Sequence, residues 1–164
     1  QDSSSIENGL NIVKYHDFSE DLIGSAKFFA SAINGIDDDV RLTNRLYVPR
    51  SRLRGFDTSQ VGPKDGDDYI GGNYLTTIGV EAQFPNFLPE SYRTDIGLFF
   101  DAANLWGVDY SNTVEETNKI RSSIGISAST YTAIGPLSFT LAQHLTKSTQ
   151  DETETFNFRL GTSF

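Results

Sequence analysis

Two histidines, His16 and His144, and a scatter of carboxylates are the side chains in this sequence with the most chemistry to offer. Nucleophilic catalysis of the serine–histidine–acid kind needs a hydroxyl, its base and an orienting acid in one place. Neither histidine has such neighbours in the local pattern, so that chemistry finds no support. Cysteine is absent, which removes thiol catalysis, disulfides and cysteine-based zinc sites together. The run Asp65-Gly66-Asp67-Asp68 supplies the oxygen ligands of a calcium loop without the bidentate glutamate that completes one, and it reads as a solvated loop. Glu81 and Asp101 could in principle serve as a general acid and base. Each falls on the polar side of an alternating segment, where a buried carboxylate more often fixes geometry than performs work. The expectation is a protein that is not an enzyme and that holds no cofactor and no metal.

The elements that position these residues are strands. Residues alternate apolar and polar with period two, the pattern of a β-strand with two unlike faces. Phe156, Phe158, Leu160 and Phe164 oppose Asn157, Arg159, Gly161 and Ser163. Leu137, Phe139 and Leu141 oppose Ser138, Thr140 and Ala142, and Ile120, Ile124 and Ile126 oppose Arg121, Ser123, Gly125, Ser127 and Ser129. Tyr92, Ile96, Leu98 and Phe100 oppose Arg93, Asp95, Gly97 and Asp101, and Tyr74, Ile78, Val80 and Phe84 oppose Asn73, Thr77, Gly79, Glu81 and Gln83. Two earlier segments, near Gly9 to Tyr15 and Ser25 to Ile33, are blurred by Lys14 and Phe29. That makes seven strands of about ten residues, the length a tilted strand needs to cross a bilayer. No run approaches the roughly 18 to 20 apolar residues of a membrane helix. The formal charge of −9, from Lys+Arg 13 and Asp+Glu 22, repels phosphate backbones, and no basic stripe offsets it, so nucleic-acid binding is not expected.

Alternation alone fits a soluble sandwich as well as an outer-membrane barrel. Connection lengths decide between them. They run His16 to Gly24, Asn34 to Ile70, Pro85 to Ser91, Ala103 to Lys119, Tyr131 to Gly135 and Leu145 to Thr155, short and long in turn. Outer-membrane barrels have short turns on one side and long loops on the other. The short connections carry the turn formers Pro85, Pro89 and Gly135-Pro136. The long ones carry charge, at Asp37-Asp38-Asp39, Lys64 to Asp68, Glu115-Glu116 and Asp151-Glu152. Trp106 and Tyr110 are placed just beyond a strand end, where an interfacial aromatic girdle lies. The fold class expected is all-β, an antiparallel transmembrane β-barrel contributed as a partial barrel of seven strands, or eight if Arg41 to Val48 adds one. An odd count leaves an edge open in lipid, so association between copies is the favoured closure.

Several segments together resemble the C-terminal half of the barrel of the BamA-like outer-membrane protein assembly factors. They are Leu53-Arg54-Gly55-Phe56, Gly62-Pro63, Gly71-Gly72-Asn73, Glu81 to Pro85, Phe99-Phe100-Asp101 with Leu105-Trp106-Gly107, Arg121 to Gly125, Gly135-Pro136-Leu137 and the terminal run Phe156 to Phe164. Each is weak alone, and their common order is specific. The resemblance covers the chain from about Leu10 onward and implies strands ten to sixteen of a sixteen-strand barrel. Residues 1–164 then form one C-terminal barrel segment, within which 34–70 is a long loop folded into the lumen.

The resemblance also implies roles. Arg54 matches the arginine of the family's loop motif, with Glu81 and Asp101 as its lumenal partners, and Gly55 allows the turn that aims the motif. Phe156, Phe158, Leu160 and Phe164 match the C-terminal assembly signal, on a strand that also forms the seam of the barrel. The function implied is insertion and folding of β-barrel proteins in the bacterial outer membrane; a small structural or pore-forming barrel without that activity is the alternative. The implied partners are outer-membrane lipid, unfolded outer-membrane proteins and the lipoproteins of the assembly complex. Two departures from the family pattern bear on packing: Leu53 where valine is frequent, and Ala103 where glycine is expected, which predicts an altered backbone at that strand's upper end.

Overall fold

The computed structural model describes residues 4–36, 45–57, 60–65, 68–85, 94–107, 120–147 and 151–160. Phe164, Tyr110, Pro89, Asp37 to Asp39, Glu115-Glu116 and the first half of Arg41 to Val48 lie outside the described residues. Seven long or edge strands form one antiparallel sheet: β1 (Ser5–Ser19), β2 (Leu22–Gly35), β5 (Tyr74–Phe84), β6 (Thr94–Trp106), β7 (Arg121–Thr132), β8 (Gly135–Thr146) and β9 (Phe156–Leu160). Their order in the sheet is their order in the chain, with β1 and β9 at opposite edges. Two short strands, β3 (Lys64–Asp65) and β4 (Asp68–Tyr69), pair with each other inside the loop between β2 and β5.

The sheet is inside out relative to a soluble sandwich. On its outer face Tyr74, Ile78, Val80, Leu98, Phe100, Ile124, Ile126, Phe139, Leu141 and Phe158 are exposed, Ile124 by 50%. Ile96 and Leu137, expected on the same face, are half-buried. The polar inner face is the buried one: Thr77, Asp101 and Ser123 are almost wholly covered. A sheet that hides serine and shows isoleucine has lipid as its outer solvent.

What covers the inner face is the described part of the loop between β2 and β5, residues 45–57, 60–65 and 68–73. It packs against the ends of the strands nearest the long connections, where Val48, Leu53, Phe56 and Val61 meet Leu75, Ala103 and Leu105 in one apolar cluster. We call this loop the plug. The segment Arg45 to Val48 belongs to it and adds no strand to the sheet edge. Leu46 bridges to Gly72, and Val48 is buried in the apolar cluster. Its apolar side chains are worth more in that cluster than along a sheet edge facing lipid on one side only.

Several strand ends differ from the sequence reading. The first turn is two residues, Glu20 and Asp21, rather than His16 to Gly24, because β1 continues through His16, Asp17 and Ser19, whose polarity hides the strand from any apolar count. β6 runs on to Trp106, which pairs with Tyr74, so the tryptophan ends a strand instead of following one. Their rings lie 5.7 Å apart at the long-loop end of the sheet, the level of an interfacial girdle. Ala103 does not disturb the backbone: it holds register with Thr77 and Arg121 and its methyl group joins the apolar cluster.

Candidate functional site

The register of β5, β6 and β7 places three rows of inner-face residues side by side. Gly79, Asp101 and Ser123 form one row, Glu81, Phe99 and Gly125 the next, and Gln83, Gly97 and Ser127 the third. Two of the glycines make room. A Cβ at Gly125 would press within 2.6 Å of the Phe99 ring, and one at Gly97 would come within 2.5 Å of the Glu81 carboxylate. The sheet thus offers a carboxylate, an aromatic face and a second carboxylate in a shallow patch.

Arg54 descends from the plug onto this patch. Its Nε donates to Asp101 Oδ2 at 2.8 Å and its Nη2 to Oδ1 at 3.0 Å, a two-pronged fork that suits a planar guanidinium. Nη1 donates to Glu81 Oε2 at 3.3 Å. The guanidinium carbon stands 3.7 Å above the centre of the Phe99 ring, so one cation meets two anions and a π-face together. The backbone is fixed as well: the Arg54 N–H donates to Asp101 Oδ2 at 3.0 Å, and the Arg54 carbonyl accepts from the Ser123 hydroxyl. Gly55 follows with φ +92, and a Cβ there would meet that of Ala142 at 2.8 Å. Only glycine combines that turn with that approach. Phe56 lies buried in the apolar cluster, edge-on to His144, and Leu53 is fully buried beside it.

Burial works against the Arg54 charge, and the hydrogen bonds and charges of Asp101 and Glu81 outweigh it, so its pKa is raised above the ordinary arginine value. It is a permanent cation. Its side chain keeps 21% exposure while Asp101 keeps 2%, because the patch opens below onto a hollow of about 280 Å³ lined by Lys27, Gln83, Asp95 and Ser129 among others. The arrangement holds the loop against the sheet. Among the described residues no group of three or more His, Cys, Asp or Glu is placed to hold a metal ion.

A second ion pair lies higher on the same face. Arg121, the first residue of β7, donates from Nε to Asp151 Oδ2 at 2.7 Å and from Nη2 to Oδ1 at 3.3 Å, and both side chains are 0% exposed. The sequence places Asp151 among the charges of a long connection and Arg121 on a polar face, without joining them. Phe99 enters the sequence reading only within the Phe99-Phe100-Asp101 segment and with no role at the site, although it shares the inward parity of Asp101. Of the remaining site residues Phe164 lies outside the described residues and three sit on β9: Phe156 and Phe158 are exposed on the outer face, in register with Leu141 and Phe139, and Leu160 pairs with Leu137.

The Omp85 superfamily domain matches residues 1–164, the whole chain. The chain belongs to the Omp85 superfamily. It is 27% identical over 146 residues to the outer membrane protein assembly factor BamA of Neorickettsia risticii, covering 87% of this chain and 19% of that protein. To BamA of Neisseria meningitidis serogroup B it is 30% identical over 139 residues, covering 68% of this chain and 17% of that one. The chain therefore spans under a fifth of the length of these two relatives. The crystal structure of BamA from Haemophilus ducreyi lacking POTRA domains 1–3 superimposes with a TM-score of 0.80 at 23% identity, over 94% of this chain and 34% of that one. In Omp85 terms the sheet is a BamA-type segment of a bacterial outer-membrane barrel, and the plug with its Arg54 lies on its inner face.

Proposed function

We propose that this Omp85 segment is the C-terminal part of the barrel of an outer-membrane assembly factor, which inserts and folds other β-barrel proteins without covalent chemistry. The observation that carries the reading is the edge at β9. Among the described residues this strand pairs with β8 from Phe156 to Leu160, against Leu141 to Leu137, and stands at the edge of the sheet with no strand on its other side. An unpaired strand edge is costly in lipid, because no water satisfies its backbone groups. An edge strand such as β9 lends such groups to an incoming strand by strand addition. The plug, held by Arg54, keeps the inner face ordered while the edge exchanges partners.

The partners that follow are outer-membrane lipid along the exposed face, unfolded outer-membrane proteins at the edge, and the lipoproteins of an assembly complex. The β1 edge is closed by further barrel strands or by other copies of the chain, which the particle mass in detergent distinguishes. The test of function is a liposome assay. Vesicles carrying a barrel built around this segment should speed the folding of a second, urea-unfolded barrel protein compared with empty vesicles. Stepwise single-channel conductance with no acceleration of folding would replace this reading with that of a small pore.

A further inference from the structure

We infer that Arg121 is a positioning residue that ties the plug to the terminal strand, so that plug and β9 move as one unit. Arg54 anchors the plug to the wall, at β5 and β6. Arg121 reaches a different part of the chain. Its partner Asp151 lies five residues before β9 begins, and Asp151 Oδ1 also accepts the backbone N–H of Gly62, in the plug, at 3.3 Å. Arg121 Nη1 donates to Asn104 Oδ1 on β6 at 2.9 Å, and Lys147 Nζ donates to the Asp151 carbonyl at 3.1 Å. From that point the chain is stitched along the plug by backbone bonds. Glu152 N donates to Gln60 O at 3.1 Å, Asp57 N to Glu152 O at 3.0 Å and Glu154 N to Gly55 O at 2.9 Å. Ala142 N then donates to Thr155 O at 2.8 Å, and β9 starts at the next residue.

A carboxylate and a guanidinium that are both dry have no water to fall back on when separated, so this pair opens only as part of a larger movement. Among the described residues, the pairing of Phe156 to Leu160 on β8 is what holds β9 beyond the stitched segment. Lifting β9 away therefore either carries the 55–62 stretch of the plug with it or breaks the stitching that Asp151 starts. The pair sets how readily the seam strand leaves β8. This coupling rests on the proposed function only for its effect on folding assistance; the motion itself is independent of that reading.

Backbone hydrogen exchange on the full chain in detergent micelles tests it, comparing wild type with Asp151→Asn, Arg121→Lys and Arg54→Lys. Asp151→Asn should raise exchange about tenfold or more at Glu152, Glu154, Ala142 and the β9 amides, with β5 and β6 unchanged. Arg121→Lys, which keeps the charge, should give the same pattern more weakly and serves where the asparagine variant fails to fold. Arg54→Lys should loosen Arg54 and its neighbours and leave β9 protected. A uniform rise over all strands, or a rise at Glu152 and Glu154 with β9 still protected, overturns the coupling. The chain holds no cysteine, so Phe139→Cys with Phe158→Cys, which are register partners, can lock β9 to β8. The lock should abolish the extra β9 exchange of Asp151→Asn. In the liposome assay, folding assistance that is absent from every variant while the exchange pattern holds would fail the proposed function and leave the coupling intact.

Discussion

Arg54 and Arg121 hold the same loop to the same sheet face by the same chemistry, and they differ in water. The Arg54 guanidinium borders the hollow and keeps one-fifth of its side-chain surface, while Arg121 and Asp151 keep none. The wetter pair is surrounded by redundancy, with a second carboxylate, an aromatic ring and backbone bonds on both sides of the residue. The drier pair joins one guanidinium to one carboxylate, with Asn104 and the Gly62 N–H hydrogen-bonded to its edges. Redundancy makes the first an anchor that tolerates loss of one contact. Dryness makes the second close to all-or-none.

That contrast orders the expected effects of substitution. Asp151→Ala should be the most damaging, about 3 to 5 kcal/mol, because it strands a fully buried guanidinium. Urea unfolding in detergent, followed by the fluorescence of the single tryptophan, Trp106, would measure it. Arg54→Ala should cost less, roughly 2 to 3 kcal/mol, since water from the hollow reaches the two carboxylates it leaves behind; equal losses for the two variants would erase the distinction drawn here. Gly55→Ala follows at about 1 to 3 kcal/mol from the left-handed backbone, raised further by the close approach to Ala142. Its crystal or exchange signature should be displacement of the 54–56 turn with Asp151 undisturbed. Ser123→Ala comes last, at about 1 kcal/mol, because it removes one hydrogen bond to a carbonyl that stays partly covered. A Ser123→Ala loss as large as that of Arg54→Ala would mean that the backbone, and not the ion pair, holds the turn.

The same contrast explains what could be read in advance. Period two exposed β5 to β9 because each shows one face to lipid and one to a polar interior, so every second residue is forced apolar. β2 was blurred by Phe29, which points inward and stacks under the Arg52 guanidinium at 4.7 Å; an inward aromatic is sensible only once a folded-in loop is there to meet it. Lys14 blurred β1 from the outer face, five residues from the strand's end, near enough for a long side chain to reach the interface. Arg54, Glu81 and Asp101 were legible because the motif and the strand parity point to the same place. Arg121 and Asp151 were not, because acid runs in long loops are usually solvated and nothing local marks one that turns inward. Their meeting depends on where the plug lies, and that is a property of the whole sheet.

The neighbour-to-neighbour order of the sheet sets a timetable for folding. Each strand pairs with the one beside it in sequence, so each hairpin can close at the loop-entropy cost of a single connection. The ties that seat the plug reach much further: Arg54 to Asp101 spans 47 residues and Gly62 to Asp151 spans 89. Contacts of that separation form late, after local pairing has shortened the effective distance between their ends. We expect strands to zip first, Arg54 to dock next and the Asp151 segment to settle last, just ahead of β9. Pulse-labelled hydrogen exchange during refolding would resolve this order, with protection at Gly62 before protection in β6 and β7 as the result against it. On this schedule the Asp151 segment is the final piece of the interior, and β9 reaches its place on β8 only once that piece is seated.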